Sequence, residues 1–219
     1  MDLDRDRCVR AFNELGMKDA DDFLGVYGQK GDFLALERGD IDAAEFRRRI
    51  RPLFSRPVTD EEIDTAFCKF LIGIPLHRLE ALRELRKHYG IYLLSNTNPI
   101  MMDSFIAEQF RQEGLEMADY FDGMVKSYEA HCYKPDREIF DYTAAHCGIN
   151  PGETLFLDDS MANVEAGRRA GYLGAHVAPG VEFIDVIRSV EQSPAPGNEQ
   201  AHTDTLLNNI QGSPNVIKT

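Results

Sequence analysis

Thr154-Leu155-Phe156-Leu157-Asp158-Asp159-Ser160 is an apolar run that stops abruptly on two adjacent carboxylates and a hydroxyl. A short apolar stretch of this kind, bounded by turn residues, reads as a buried strand, with the carboxylates at its carboxyl end. Two more runs have the same form. Ile91-Tyr92-Leu93-Leu94 ends on Ser95-Asn96, and Met124-Val125-Lys126-Ser127 leads into Lys134-Pro135-Asp136. Helical patterns lie between them, near 99–110, 136–147 and 160–171, and a further strand is expected at 175–178. Strands that recur with helices between them give crossovers and a parallel sheet. The fold class is therefore α/β, with a Rossmann-like parallel core.

Ahead of this core the signals are helical. Val9, Phe12 and Leu15 share a helical spacing that ends at Gly16, while Asp42-x-x-Glu45 and Thr59-x-x-Glu62 have the form of capping boxes. Leu76, Leu79, Leu82 and Leu85 form a stripe that ends near Gly90. These patterns divide the chain into a small all-helical module over 1–74, an α/β core over 75–190 and a polar tail over 191–219. The tail begins at Ser193-Pro-Ala-Pro-Gly197 and has few apolar residues beyond Leu206, Leu207 and Ile210, so it is expected to be disordered.

Composition narrows the function. The formal charge is −13, from 37 acidic and 24 basic residues, which argues against nucleic-acid or anionic-membrane partners and for a small substrate. Cys8, Cys68, Cys132 and Cys147 are scattered without a Cys-x-x-Cys pair, as expected for reduced thiols in a cytoplasmic protein. No run approaches the roughly 20 apolar residues of a membrane helix.

Ligands of an open parallel sheet collect outside the carboxyl ends of its strands, where helix N-termini point inward. Ser95, Lys134, Asp158 and Asp159 all fall at or just after such ends. Each has an ordinary reading when taken alone. Asp158-Asp159 is common turn and cap chemistry, with Ser160 placed to cap the next helix; Ser95-Asn96-Thr97-Asn98-Pro99 is a capping turn; a loop lysine is usually a solvated charge. The functional reading joins them. Paired carboxylates at a strand end hold Mg²⁺, the Ser95 hydroxyl and Asn96 amide bind phosphoryl oxygens, and Lys134 supplies a point cation, aimed away from the following helix by Pro135. Asn163, one turn after Ser160, braces the carboxylate loop. His131, His146 and the cysteines have no partner at useful spacing, and Gly167, Ala170 and Gly171 read as a close-packed helix face.

Together these residues resemble the haloacid dehalogenase superfamily, among its phosphatase-like members with a small helical cap. The likeness covers roughly residues 2–185. It rests on Leu93-Leu94-Ser95-Asn96, on Lys134-Pro135-Asp136 followed by Glu138-Ile139-Phe140, and on Phe156-Leu157-Asp158-Asp159-Ser160 with Asn163. The resemblance implies a Mg²⁺-dependent hydrolysis of a small phosphorylated metabolite through an aspartyl-phosphate. It implies that Lys134, Asp158 and Asp159 are catalytic, that Ser95, Asn96 and Lys134 hold phosphate, and that Asp159 and Asp158 hold the metal, with Asp159 the direct ligand.

One part of the pattern is missing. In the family the nucleophile and general-acid aspartates follow a first strand that lies between the strands ending at Ser95 and Asp158, and no such strand opens this sequence. Asp2-Leu3-Asp4-Arg5-Asp6 has acidic spacing without a strand before it. His131 stands where relatives tend to carry Gly. The gap would leave two buried ladders unpaired, and five orphaned backbone groups at about 1–3 kcal/mol each rival a whole domain's stability of about 5–15 kcal/mol. The expectation is a phosphatase whose start lies upstream of Met1, with these 219 residues poorly folded and nearly inactive. A catalytically dead phosphate-binding or interaction protein, and a metal-independent 2-haloacid dehalogenase, stand as alternatives. Oligomeric state is open, and Tyr27, Lys30 and Phe33 are candidates for substrate choice.

Overall fold

The computed structural model describes residues 1–25, 31–192 and 215–218, which fall into two units. One comprises Met1–Leu79, Asn96–Met117 and Ser127–His131; the other comprises Glu80–Ser95, Ala118–Lys126 and Cys132–Thr219. Tyr27 and Lys30, and the tail residues 193–214, lie outside the described residues.

The first unit is built from helices Arg5–Glu14, Ala20–Leu24, Gly31–Glu37, Ala43–Ile50 and Asp60–Cys68. Thr59 opens the last of these with a complete capping box: its Oγ1 accepts from Glu62 N at 3.1 Å, and Glu62 Oε2 accepts from Thr59 N at 2.8 Å. Asp42 makes only half of one, accepting from Glu45 N at 2.7 Å, because the Glu45 carboxylate is taken by Arg48 and Arg49. The helices bury a phenylalanine cluster in which Phe67 stacks on Phe12 and Phe46 and meets Phe33 edge to face. Phe33 is 1% exposed within this core, so it is a packing residue and not one that reads a substrate. A two-stranded antiparallel ribbon, β1 (Asp2–Leu3) with β2 (Leu71–Gly73), closes the unit and was not expected from the sequence. Segment 99–110 is helical as expected, but its middle, Met102–Ile106, widens into a π-type turn.

The second unit is a five-stranded parallel sheet. Its strands are β3 (Gly90–Ser95), β4 (Gly123–Lys126), β5 (Thr154–Asp158), β6 (Leu173–His176) and β7 (Asn215–Lys218), in the spatial order β4-β3-β7-β5-β6. Helices Arg137–Cys147 and Met161–Arg169 fall as expected, while Phe183–Gln192 was not foreseen. Every residue of β5 is buried, as a strand covered on both faces requires. Gly167 lets its helix approach that strand: a Cβ there would sit 2.7 Å from the Phe156 ring. β6 begins earlier than the expected 175–178, because the chain turns straight from the helix end at Arg169 through Gly171 (φ +100°) into the sheet.

The central position of the sheet corrects two expectations. β7 comes from the tail that the sequence marked as disordered, and it lies between β3 and β5, parallel to both. Val216 is level with Ile91 on one side and Leu155 on the other, and it is 4% exposed. The two ladders expected to stand unpaired are therefore paired along β7. Four residues with only two apolar side chains give little local strand signal; the slot between two fixed strands selects them.

Candidate active site

Lys134 follows the β4 limb of the chain and runs to the ends of two strands at once. Its Nζ donates to Asp158 Oδ2 at 2.9 Å and to the Leu94 carbonyl at 3.0 Å, tying the carboxyl end of β5 to that of β3. Both side chains of the ion pair are almost fully buried, at 4% and 1% exposure. A charged pair so placed persists only if its remaining hydrogen-bonding capacity is met. Asp158 meets this condition: Ser160 N donates to Oδ1 at 2.7 Å, and Asn163 Nδ2 donates to Oδ1 at 3.1 Å and to Oδ2 at 3.2 Å. Asn163 thus braces the loop as expected. Ser160 precedes the helix Met161–Arg169, but its side chain makes no cap bond; its amide serves Asp158 instead.

Burial pushes the Asp158 carboxyl upward, but the Lys134 charge, the Ser160 amide and the bonds from Lys134 and Asn163 outweigh it, so its pKa lies below the ordinary aspartate value. A carboxyl whose folded pKa is depressed contributes stability above its unfolded pKa and loses it as pH falls through the folded one. The urea midpoint should therefore drop as pH is lowered from about 5 to about 3. Asp158→Asn should flatten that drop, and an equal drop in both proteins would contradict the assignment.

Asp159 is the other half of the pair and behaves oppositely. Successive residues of an extended strand point to opposite sides, so where Asp158 turns inward Asp159 is exposed. Its carbonyl accepts from His176 Nε2 at 3.0 Å, while its carboxylate has no hydrogen-bond partner among the described residues. His176 was not singled out in the sequence. It closes β6 level with Asp158, and an expected strand placed two positions late hid that register.

Ser95 closes β3, level with Lys126 of β4. The structure thus brings Ser95, Lys134, Asp158, Asp159 and Asn163 to the carboxyl edge of one sheet. Asn96 follows Ser95 in the chain but belongs to the first unit. There the capping reading holds for Asn98, whose side chain accepts from Met101 N at 3.0 Å. Thr97 is held by Ser127: Thr97 N donates to Ser127 Oγ, and that hydroxyl donates back to the Thr97 carbonyl, both at 3.0 Å. His131 takes a left-handed conformation (φ +53°), one that glycine adopts without steric cost. None of the four cysteines forms a disulfide among the described residues, and burial, with the Cys68 charge adding to it, pushes the Cys8 thiol up to about 12.

As placed, these groups offer a buried cation at the strand ends, a hydroxyl, and one carboxylate free to bind. Among the described residues no group of three or more His, Cys, Asp or Glu side chains is placed to hold a metal ion. No helix among them is long and apolar enough to cross a membrane.

Comparison with known proteins bears on this arrangement. Residues 12–171 match the model of the haloacid dehalogenase-like hydrolases. The chain is 41% identical over 172 residues to D-ribitol-5-phosphate phosphatase of Bacteroides thetaiotaomicron, covering 78% of this chain and 84% of that one. It is 32% identical over 97 residues to a sesquiterpene phosphatase of Aspergillus oryzae, covering 44% and 46% of the two chains. Among solved structures, a HAD family enzyme of Bacteroides thetaiotaomicron, an aspartate-to-alanine mutant in complex with magnesium and inorganic phosphate, superposes with a TM-score of 0.82 at 35% identity. The superposition covers 85% of this chain and 93% of that one. A predicted HAD-like hydrolase of Porphyromonas gingivalis gives 0.79 at 31%, over 88% and 92%.

Proposed function

The chain belongs to the haloacid dehalogenase-like hydrolases and is of the phosphatase type, and from that premise we propose that its strand-end cluster binds the phosphoryl group of a small phosphomonoester in a Mg²⁺-dependent phosphatase. The observation that carries the reading is the Lys134–Asp158 pair beside the unpartnered Asp159 carboxylate. Mg²⁺ takes one or two carboxylates and fills its remaining positions with water and substrate phosphate oxygens, so a single free carboxylate at a strand end is a fitting donor. Asp159 would hold the ion, which when bound screens phosphate charge. Asp158, fully engaged, positions Lys134 and the loop. Lys134 draws the phosphoryl oxygens in, and the Ser95 hydroxyl hydrogen-bonds to them. The free carboxylate also favours this chemistry over metal-independent dehalogenation.

The substrate we carry forward is a small polyol phosphate, the class on which the Bacteroides thetaiotaomicron phosphatase acts by its name. A chain of net charge −13 with no disulfide among its described residues suits a cytoplasmic metabolite enzyme and not a nucleic-acid or membrane binder. Hydrolysis through an aspartyl-phosphate needs a nucleophile, and β7, Asn215-Val-Ile-Lys218, brings no carboxylate between Ser95 and Asp158. We therefore propose that turnover requires an aspartate presented at the centre of the sheet, between Ser95 and Asp158, in the place that β7 holds here. The same observation favours a second reading, a phosphate-binding protein without catalysis. Calorimetric titration of Mg²⁺ with inorganic phosphate tests the site in either case. Binding should be measurable for the 219-residue chain and reduced roughly 10-fold or more by Asp159→Asn; equal affinity in both would remove Asp159 from the site.

A further inference from the structure

The first unit carries an open cavity of about 490 Å³, within the range of about 300–1,000 Å³ usual for small-molecule sites. Every residue that lines it belongs to that unit. One wall is a single face of helix Asp60–Cys68 and its C-cap, where Glu61, Thr65 and Lys69 recur at four-residue spacing. Ser104 and Phe105 come from the widened turn Met102–Ile106, a distortion of the kind that recurs at functional sites. Leu71 and Ile72 of β2 add apolar surface, and Ile72 is 50% exposed.

The cavity is polarised. At 1.5 Å per residue, Glu61 and Lys69 stand about 12 Å apart along the helix. Arg7 joins the Lys69 end, because Asp4 N donates to the Phe70 carbonyl at 2.8 Å and Cys8 Sγ to that of Phe67 at 3.6 Å, which holds the first turn of its helix there. The carboxylate of Asp64, between Glu61 and Lys69, is already taken by Arg47 at 2.8 and 2.6 Å. The Arg7 guanidinium and the Lys69 ammonium, by contrast, have no carboxylate partner among the described residues. Arg5, Arg47, Arg49, Arg51 and Arg56 of the same unit each hold one. In a chain with 37 acidic residues against 24 basic, two uncommitted cations at one end of a part-apolar cavity make an anion-binding pole.

We propose that this cavity binds a small amphipathic anion, a carboxylate, phosphate or sulfonate carried on an aromatic or aliphatic body. Arg7 and Lys69 take the charged head, and the Thr65 hydroxyl, one turn before Lys69, hydrogen-bonds to it. Leu71, Ile72 and Phe105 cover the body. The site asks nothing of Lys134, Asp158 or Asp159, so it stands apart from the phosphatase reading.

The test titrates the full chain with 8-anilinonaphthalene-1-sulfonate, whose fluorescence rises as it leaves water, and with neutral N-phenyl-1-naphthylamine, the same body without the sulfonate. The double variant Arg7→Met with Lys69→Met removes both charges and keeps side chains of similar reach. It should bind the sulfonate roughly tenfold more weakly than the unaltered chain, the loss expected for charge-assisted hydrogen bonds, while the neutral dye changes less than about twofold. Equal sulfonate affinity in both chains, an equal loss for both dyes, or no binding to the unaltered chain would overturn the proposal. Should the variant not fold, hydrogen exchange on the unaltered chain decides: saturating sulfonate must slow amide exchange at 69–72 and 104–106, and unchanged exchange there overturns it. Phosphatase activity enters none of these readouts.

Discussion

Lys134→Ala is expected to destabilise the α/β unit by about 3–5 kcal/mol at neutral pH, the usual cost of leaving one member of a buried ion pair alone. The Asp158 side chain is only 1% exposed and would retain Ser160 N and Asn163 Nδ2, but no cation. The Leu94 carbonyl would lose its donor as well. An uncompensated carboxylate in this position relieves itself by protonation, so its pKa in the variant should move above the unfolded value. The linkage then has the opposite sign from the native protein: the variant should recover part of its deficit as pH falls through that raised pKa. Urea denaturation at two pH values reads this directly. A deficit that is small at neutral pH, or that grows on acidification, would show that the pair does not organise the strand ends. Replacing both partners with apolar residues of similar size should cost far less than either single change.

The second large effect is in catalysis. A chain supplying an apolar strand followed by Asp at the centre of the sheet should hydrolyse a small phosphomonoester at least about 10⁴-fold faster than these 219 residues. Loss of a nucleophile from a cooperating set generally costs four to six orders of magnitude, so roughly the same factor should be gained by restoring it. On the proposed reading the residues present here would bind and orient phosphate, while β7 brings no carboxylate between Ser95 and Asp158. The gain should be in kcat, with little change in phosphate affinity, because Ser95, Lys134 and Asp159 are common to both chains.

Much of the fold was legible because the sequence and the sheet use the same punctuation. β3, β4 and β5 are apolar runs that end on polar residues, and a buried parallel strand shows itself in that way. The helical module was legible through caps, and Thr59-x-x-Glu62 makes the bonds its pattern predicts. The convergence of Lys134 and Asp158 was legible only as shared position at strand ends. Their 2.9 Å contact, and the opposite fates of Asp158 and Asp159, come from the direction in which an extended chain turns alternate side chains. His176 was missed because its strand was placed late in the sequence. β7 was not legible at all: Asn215-Val-Ile-Lys218 follows Pro214 in a polar tail, and only a vacancy between two long strands gives it a conformation. Local pattern records what a segment prefers by itself, and here the preference is weak and the slot decides.

The most direct test of the account is Mg²⁺-dependent phosphate release from a polyol phosphate, measured for these 219 residues and for a chain extended ahead of Met1 by an apolar strand and Asp, with and without a chelator. The account predicts turnover from the extended chain alone, abolished by the chelator. Robust hydrolysis by the 219-residue chain itself, or hydrolysis that survives the chelator, would contradict it.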